Sequence, residues 1–365
     1  MDFFHTHISN KSKDLVNQAL TSTFISAGKT AEAFEEALSS RLGLVNPVTL
    51  NSGTAALHLG LLAAGVAPGD EVIIPAQTFI ATGLSVLMVG AKPVFADIQL
   101  ESGNISPQAI KEKITAKTKA IIPVHWGGYP CDMDEINTIA NEHSIAVIED
   151  AAHALGATYK NKPIGSFSQF TVFSFQAIKH LTTGDGGALC CLSEKDAEKV
   201  KTARWFGIDR KNSRPPILGE REYDVSKIGF KYHLNDYAAA LGMGNLEDLP
   251  LILSRRTENV KRYREELKNV PGLTLLENKN DRQSANWLFT VLVEKRENFI
   301  KYLQEYKIPT SVVHLRIDKN SVFGGLTKGL NNQEKFNEIQ ISLPVHQALS
   351  ESDVTLIIDT IKKGW

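Results

Sequence analysis

Ser144-Ile145-Ala146-Val147-Ile148-Glu149-Asp150-Ala151-Ala152-His153 places a short apolar run directly before a pair of acids. The run does not alternate with polar residues. As a strand it is therefore buried on both faces, the condition of an interior strand in a parallel sheet. Working outward, runs of the same kind stand at residues 47–50, 71–75, 93–97, 120–124, 171–175 and 188–191. Helical patterns lie between several of them, at 54–64, 79–89, 107–114 and 133–142. The alternation predicts an α/β fold with a mostly parallel sheet covered by helices. Sheets of this class bind ligands at the carboxyl ends of their strands. Asn51–Thr54, Asp150 and the residues after Phe175 all fall at such ends.

The pattern changes near residues 241–251. Residues 254–267 read as a long charged helix, strand-like pieces follow at 273–276 and 289–293, and a helix follows at 296–306. This predicts a large domain over residues 1–246 and a smaller α+β C-terminal domain over 247–365. Residues 278–283 and 324–333 read as polar loops.

The 365 residues are 42% hydrophobic and 22% charged, a globular composition, and their net charge of −1 gives no electrostatic case for nucleic acid or an anionic membrane. No apolar run approaches a membrane span, and residues 1–10 show no secretory apolar segment. The three cysteines, Cys131, Cys190 and Cys191, lack zinc-type spacing and read as reduced thiols of a cytoplasmic protein. No His/Asp/Glu cluster has metal-ligand spacing.

Three segments carry chemistry. Asn51-Ser52-Gly53-Thr54-Ala55-Ala56 joins a strand to a helix. Its free N–H groups and helix dipole suit a phosphate, although the same residues read as an ordinary helix start capped by Ser52 or Asn51. Glu149-Asp150 offers a carboxylate at a strand end, and alternation sends the two side chains opposite ways without saying which faces a site. Phe173-Ser174-Phe175-Gln176-Ala177-Ile178-Lys179-His180-Leu181-Thr182-Thr183-Gly184-Asp185-Gly186-Gly187 sets a lysine between a strand end and a glycine-rich turn. Lys179 reads either as a solvated loop lysine or as a desolvated nucleophile toward an aldehyde. A Schiff-base lysine, an acid for a pyridinium nitrogen and a phosphate turn are the groups that pyridoxal 5'-phosphate (PLP) requires. Phe79 reads as a core aromatic or as a ring stacked on a planar cofactor. His125 reads as a satisfied interior histidine or as part of a substrate-side loop.

Asn51-Ser52-Gly53-Thr54-Ala55-Ala56-Leu57, Glu149-Asp150-Ala151-Ala152-His153-Ala154-Leu155-Gly156-Ala157, and Ser174-Phe175 followed by Lys179 and Gly184-Asp185-Gly186-Gly187 together resemble the DegT/StrS family of PLP-dependent sugar aminotransferases. The resemblance runs from Phe24-Ile25-Ser26-Ala27-Gly28 to Ser342-Leu343-Pro344-Val345-His346. It implies the PLP-dependent transferase fold of type I, that of aspartate aminotransferase, in a homodimer with shared sites. By resemblance, Lys179 forms the Schiff base and later moves a proton, Asp150 pairs with the ring nitrogen, and His153 lies by the ring hydroxyl. Phe79 stacks on the ring, and Gly53, Thr54, Ala55 and Ser174 hold the phosphate. Family members place an Asn, reaching the phosphate from the partner, where this chain has Lys231 in Gly229-Phe230-Lys231-Tyr232-His233. Lys231 reads as that phosphate contact or as a surface lysine. Gln176 stands where many members have His, and Asp185 where most have Glu.

The resemblance implies transfer of an amino group from glutamate to a ketone of a nucleotide-linked sugar, for amino-sugar or surface-polysaccharide biosynthesis. Cyclitol ketones are the substrates of some relatives. A branch with His for the lysine removes a hydroxyl instead, and Lys179 argues against it. A non-catalytic PLP-binding protein on the same scaffold would have lost the lysine or the acid, and neither is lost.

Overall fold

The computed structural model describes residues 1–209, 217, 219 and 222–365. In chain order the strands of its large sheet are β1 (Pro47–Leu50), β2 (Glu71–Pro75), β3 (Lys92–Ala96), β4 (Thr118–Ile121) and β5 (Ala146–Asp150). After β5 come the short β6 (Thr158–Tyr159) and β7 (Lys162–Pro163), then β8 (Phe170–Ser174) and β9 (Gly187–Cys191). The seven-stranded sheet has the order β1-β9-β8-β5-β4-β2-β3. Strands β8, β5, β4, β2 and β3 pair in parallel, whereas β9 runs antiparallel to both β8 and β1. The predicted mostly parallel sheet is present.

Several boundaries in the large sheet move by one to three residues from their expected places, with identifiable causes. Strand β4 ends before Pro123, which has no N–H for the ladder, although Asp150 N still donates to Pro123 O at 2.8 Å. The helix Gly53–Ala63 starts one residue early because Ser52 Oγ caps it, accepting from Ala55 N at 3.0 Å. Phe79 sits at the N-cap position of Ile80–Met88 and is 53% exposed, so its reading as a core aromatic is corrected.

Both faces of the sheet are covered. Val147, Phe173 and Cys190 face one core with Phe34, Leu38 and Ile136, while Ile148, Val172 and Leu189 face another with Leu57, Leu61 and Val86. This two-sided burial is why the strands read as unpatterned apolar runs. The helix Lys29–Leu42, unassigned from the sequence, buries Ala31, Phe34, Ala37 and Leu38. Asn10–Thr21 packs on Asp236–Leu246, where a Cβ on Gly244 would stand 2.3 Å from Ser12 N.

The C-terminal part follows the long helix Leu249–Leu267, which starts five residues before its expected position. Strands β10 (Leu273–Leu275), β12 (Phe289–Val293) and β13 (Gln340–Leu343) form an antiparallel sheet, and β11 (Arg282–Gln283) lies between the first two in sequence. With the helices Arg296–Glu305 and Glu351–Lys362 they enclose Tyr263, Val291, Phe299, Ile341 and Ile357. Two loop expectations are corrected. Within 278–283, β11 pairs with β6, and the helix Asn331–Ile339 begins inside 324–333. Both elements are made by tertiary partners and have no strong local signal. No described helix is long and apolar enough to cross a membrane.

Candidate active site

Six strands of the large sheet point the same way, so their carboxyl ends share one edge. Asp150 is the last residue of β5, and Asn51, Gln77, Phe79, His125 and Lys179 follow the ends of their strands. At the end of β1 the chain turns into Gly53–Ala63. Ser52 Oγ takes Ala55 N and Ser52 O takes Ala56 N, which leaves the N–H groups of Gly53 and Thr54 without a partner among the described residues. A Cβ on Gly187 would stand 2.6 Å from Gly53 N, so glycine there lets β9 lie against the turn. A Cβ on Gly53 would meet Ser174 Cβ at 3.2 Å, which places Ser174 beside the same donors. The N–H of Ala55, expected among the phosphate donors, is committed to the Ser52 cap.

The two acids of β5 diverge. Glu149 is fully buried and accepts from His125 Nε2 at 2.9 Å and from Thr171 Oγ1 at 3.2 Å. Because Cys131 N donates to His125 Nδ1 at 3.0 Å, the His125 proton is on Nε2. His125 is thus the satisfied interior histidine. Asp150 faces the other way. Its Oδ2 accepts from Thr82 Oγ1 at 2.8 Å and its Oδ1 from Ala152 N at 3.2 Å. With Thr82 donating to the carboxylate, Thr78 must be the donor in its 2.7 Å bond to Thr82. Burial raises the Asp150 pKa above the ordinary carboxylate value, while these donors and the Lys179 charge pull it back.

Lys179 lies in the loop between β8 and β9, where Lys179 N bonds Gln176 O at 2.9 Å and Phe175 N bonds Gly186 O at 2.8 Å. Its side chain is partly buried, and desolvation pulls its pKa from 10.5 down to about 7, against the opposing charge of Asp150. It is not the solvated loop lysine of the blander reading. Its Nζ lies 3.6 Å from the ring centroid of Trp287. His153 stacks on the same indole at 3.8 Å with planes 17° apart. The His153 Nδ1 is buried without a hydrogen-bond partner among the described residues, and burial holds this imidazole well below its ordinary pKa. Phe79 stands 5.1 Å from His314, whose pKa falls to about 4 through burial and the Lys179 charge. Gln176 and Asp185 are exposed.

Lys231 is exposed. Its Nζ lies over the rings of Trp205 at 4.8 Å and Phe206 at 5.4 Å, and its carbonyl accepts from Asn51 Nδ2 at 3.3 Å. The 229–233 segment therefore runs beside the Asn51 turn of its own chain.

Sequence reasoning missed Trp287, His314, Gln77 and Thr82. Gln77 carried a signal, being a polar residue just after the apolar strand β2, and Thr82 is a polar residue in the apolar first turns of the helix that follows. Trp287 and His314 carried none locally, since packing of the C-terminal part brings them in.

The group of residues fits PLP. It combines a carboxylate held by donors, an unpartnered buried imidazole nitrogen, a lysine with a low pKa and a glycine-lined pair of free N–H groups.

Comparison with known proteins agrees with this chemistry. Residues 6–362 match the model of the DegT/DnrJ/EryC1/StrS aminotransferase family. The spore coat polysaccharide biosynthesis protein SpsC of Bacillus subtilis is 36% identical over 359 residues, covering 95% of this chain and 92% of that protein. A UDP-4-amino-4-deoxy-L-arabinose–oxoglutarate aminotransferase from Shewanella sediminis is 33% identical, covering 95% and 94%. The crystal structure of a sugar aminotransferase from Micromonospora echinospora superposes with a TM-score of 0.95 at 33% identity, over 100% of both chains.

Proposed function

The chain belongs to the DegT/DnrJ/EryC1/StrS aminotransferase family and is a PLP-dependent aminotransferase, and from that premise we propose that it moves the amino group of glutamate to a ketone on a nucleotide-linked deoxysugar. The product would enter amino-sugar or surface-polysaccharide synthesis. The observation that carries the proposal is the chain-long similarity to an aminotransferase whose name couples a UDP-linked amino sugar with oxoglutarate.

In this reading each side chain has one task. Bound PLP supplies an aldehyde and an electron-withdrawing ring. Asp150 holds the ring nitrogen in its protonated form, and the Thr78–Thr82 chain fixes the orientation of Oδ2. Lys179, with a pKa of about 7, presents a free amine near neutral pH and carries a proton at Nζ. His153, kept neutral by burial, offers Nδ1 to the ring hydroxyl. Gly53, Thr54, Ala55 and Ser174 line the phosphate end, where Gly53 and Thr54 supply the open N–H groups. Phe79 covers one face of the ring from the solvent side. Lys231 reaches a partner's phosphate in a homodimer, its ammonium being exposed and resting over the aromatic faces of Trp205 and Phe206. Cys131, Cys190 and Cys191 are free and buried, which suits a reduced cytoplasm.

The test is a panel of keto-sugar nucleotides and of cyclitol ketones, each with glutamate, with product masses recorded. Amination of a sugar nucleotide with release of oxoglutarate is expected. Amination of cyclitol ketones alone would overturn the substrate class.

A further inference from the structure

Residues 285–287 of the C-terminal part lie against residues 178–180 of the lysine loop, and they hold it at three consecutive positions. Trp287 Nε1 donates to Ile178 O at 3.0 Å. His180 Nε2 donates to Ala285 O at 2.8 Å. Between these two pins, Lys179 Nζ lies 3.6 Å from the Trp287 ring centroid. The indole itself is fixed. His153 stacks on it at 3.8 Å, Phe4 stacks at 5.3 Å, and the buried Arg256 donates to the carbonyls of Asn286 and Trp287 at 3.2 and 3.3 Å. Trp287 is 1% exposed.

Lys179 Nζ has no hydrogen-bond acceptor among the described residues, and Asp150 acts on it only as a charge at a distance. The aromatic face is thus its nearest stabilising partner. Such a partner suits a lysine that must gain and lose a proton. A carboxylate or carbonyl would bind the ammonium directionally and hold the proton on, whereas a π-face favours the cation without accepting its proton.

We propose that Trp287 is the positioning residue for Lys179: its indole face is the rest position of the ε-amino group whenever that group is not joined to the cofactor. This rests on the reading of Lys179 as the lysine that takes the cofactor. The rest position keeps Nζ at the carboxyl edge of the sheet, on the side of Asp150 and His153, and it partly offsets the desolvation that lowers the lysine's pKa.

The test uses the cofactor-free full-length protein, with mono-, di-, tri- and tetrafluorotryptophan in place of Trp287 alone. Each fluorine withdraws charge from the ring face while leaving its shape nearly unchanged. The pKa of Lys179 is read by competitive acetylation across pH followed by peptide mass mapping. The expected result is a stepwise fall with fluorine number, by about 0.5–1.5 pH units over the series. A pKa that does not move, or rises, overturns the proposal. A purely structural tryptophan would give the flat result, because fluorination preserves the packing. If the cofactor proves to be joined to another lysine, the catalytic reading fails, yet the series still reports whether Trp287 holds Lys179.

Discussion

Glu149 and Asp150 are neighbours in one strand and end in opposite circumstances. Glu149 has its oxygens engaged by His125 and Thr171, and His125 has both nitrogens engaged in turn. Nothing in that unit is open. Asp150 is held by Thr82 and Ala152 and shares its surroundings with a partly desolvated lysine and with an imidazole nitrogen that has no partner among the described residues. A buried polar group that is fully satisfied stabilises a fold, whereas groups fixed in place with bonding capacity left over are arranged for a ligand. One residue's step along a pleated strand separates a closed polar unit from one with bonding capacity left over.

The sharpest way to break this comparison is Lys179→Ala. Transamination should fall by about 10,000-fold or more, since a covalent step loses its nucleophile. Stability should not fall. A lysine whose folded pKa lies at about 7, below its value of 10.5, binds its proton more weakly folded than unfolded. Wild type therefore gains stability as pH rises from about 7 to 10.5, and the Ala variant lacks that gain. Denaturant unfolding at pH 6 and pH 9.5 checks the sign.

On the closed side, His125→Ala should cost about 3–5 kcal/mol of stability by leaving the buried Glu149 with Thr171 alone of its two donors. The protein that remains folded should turn over close to the wild-type rate. Lost turnover with unchanged stability would place the chemistry on the wrong side of the strand.

Asp150→Asn reverses that profile. A neutral amide cannot hold a protonated ring nitrogen, so kcat should fall by about 100- to 1,000-fold. Cofactor retention on dialysis and the unfolding midpoint should change little.

How much of this difference was legible beforehand depended on where its parts lie in the chain. The apolar run 146–150 and the turns at 51–54 and 184–187 announce a buried parallel sheet with groups at its carboxyl edge, because two-sided burial and close backbone approach leave compositional marks. That Asp150, and not Glu149, faces the site was not readable from alternation, which separates the two without saying which way either points. It depends on Thr82 and His125 arriving from other elements. Trp287 and His314 were invisible for the same reason. Their positions are set by packing between parts of the chain over a hundred residues from Lys179. Likewise the two-residue strands β6, β7 and β11 exist only because they pair with one another.

The smallest expected effect is at Lys231. If its ammonium contacts a phosphate across a homodimer, Lys231→Ala should weaken PLP binding by about ten- to a hundredfold, the equivalent of roughly 1.5–3 kcal/mol. Equilibrium dialysis would show the variant releasing cofactor that wild type retains. Unchanged retention would return Lys231 to the surface, with the comparison between the two acids intact.

The central claim is that the open side of the strand is built around Lys179. Borohydride reduction of the PLP-loaded protein, followed by peptide mass mapping, tests it most directly. The account predicts a pyridoxyl adduct on Lys179. An adduct on any other lysine would contradict it.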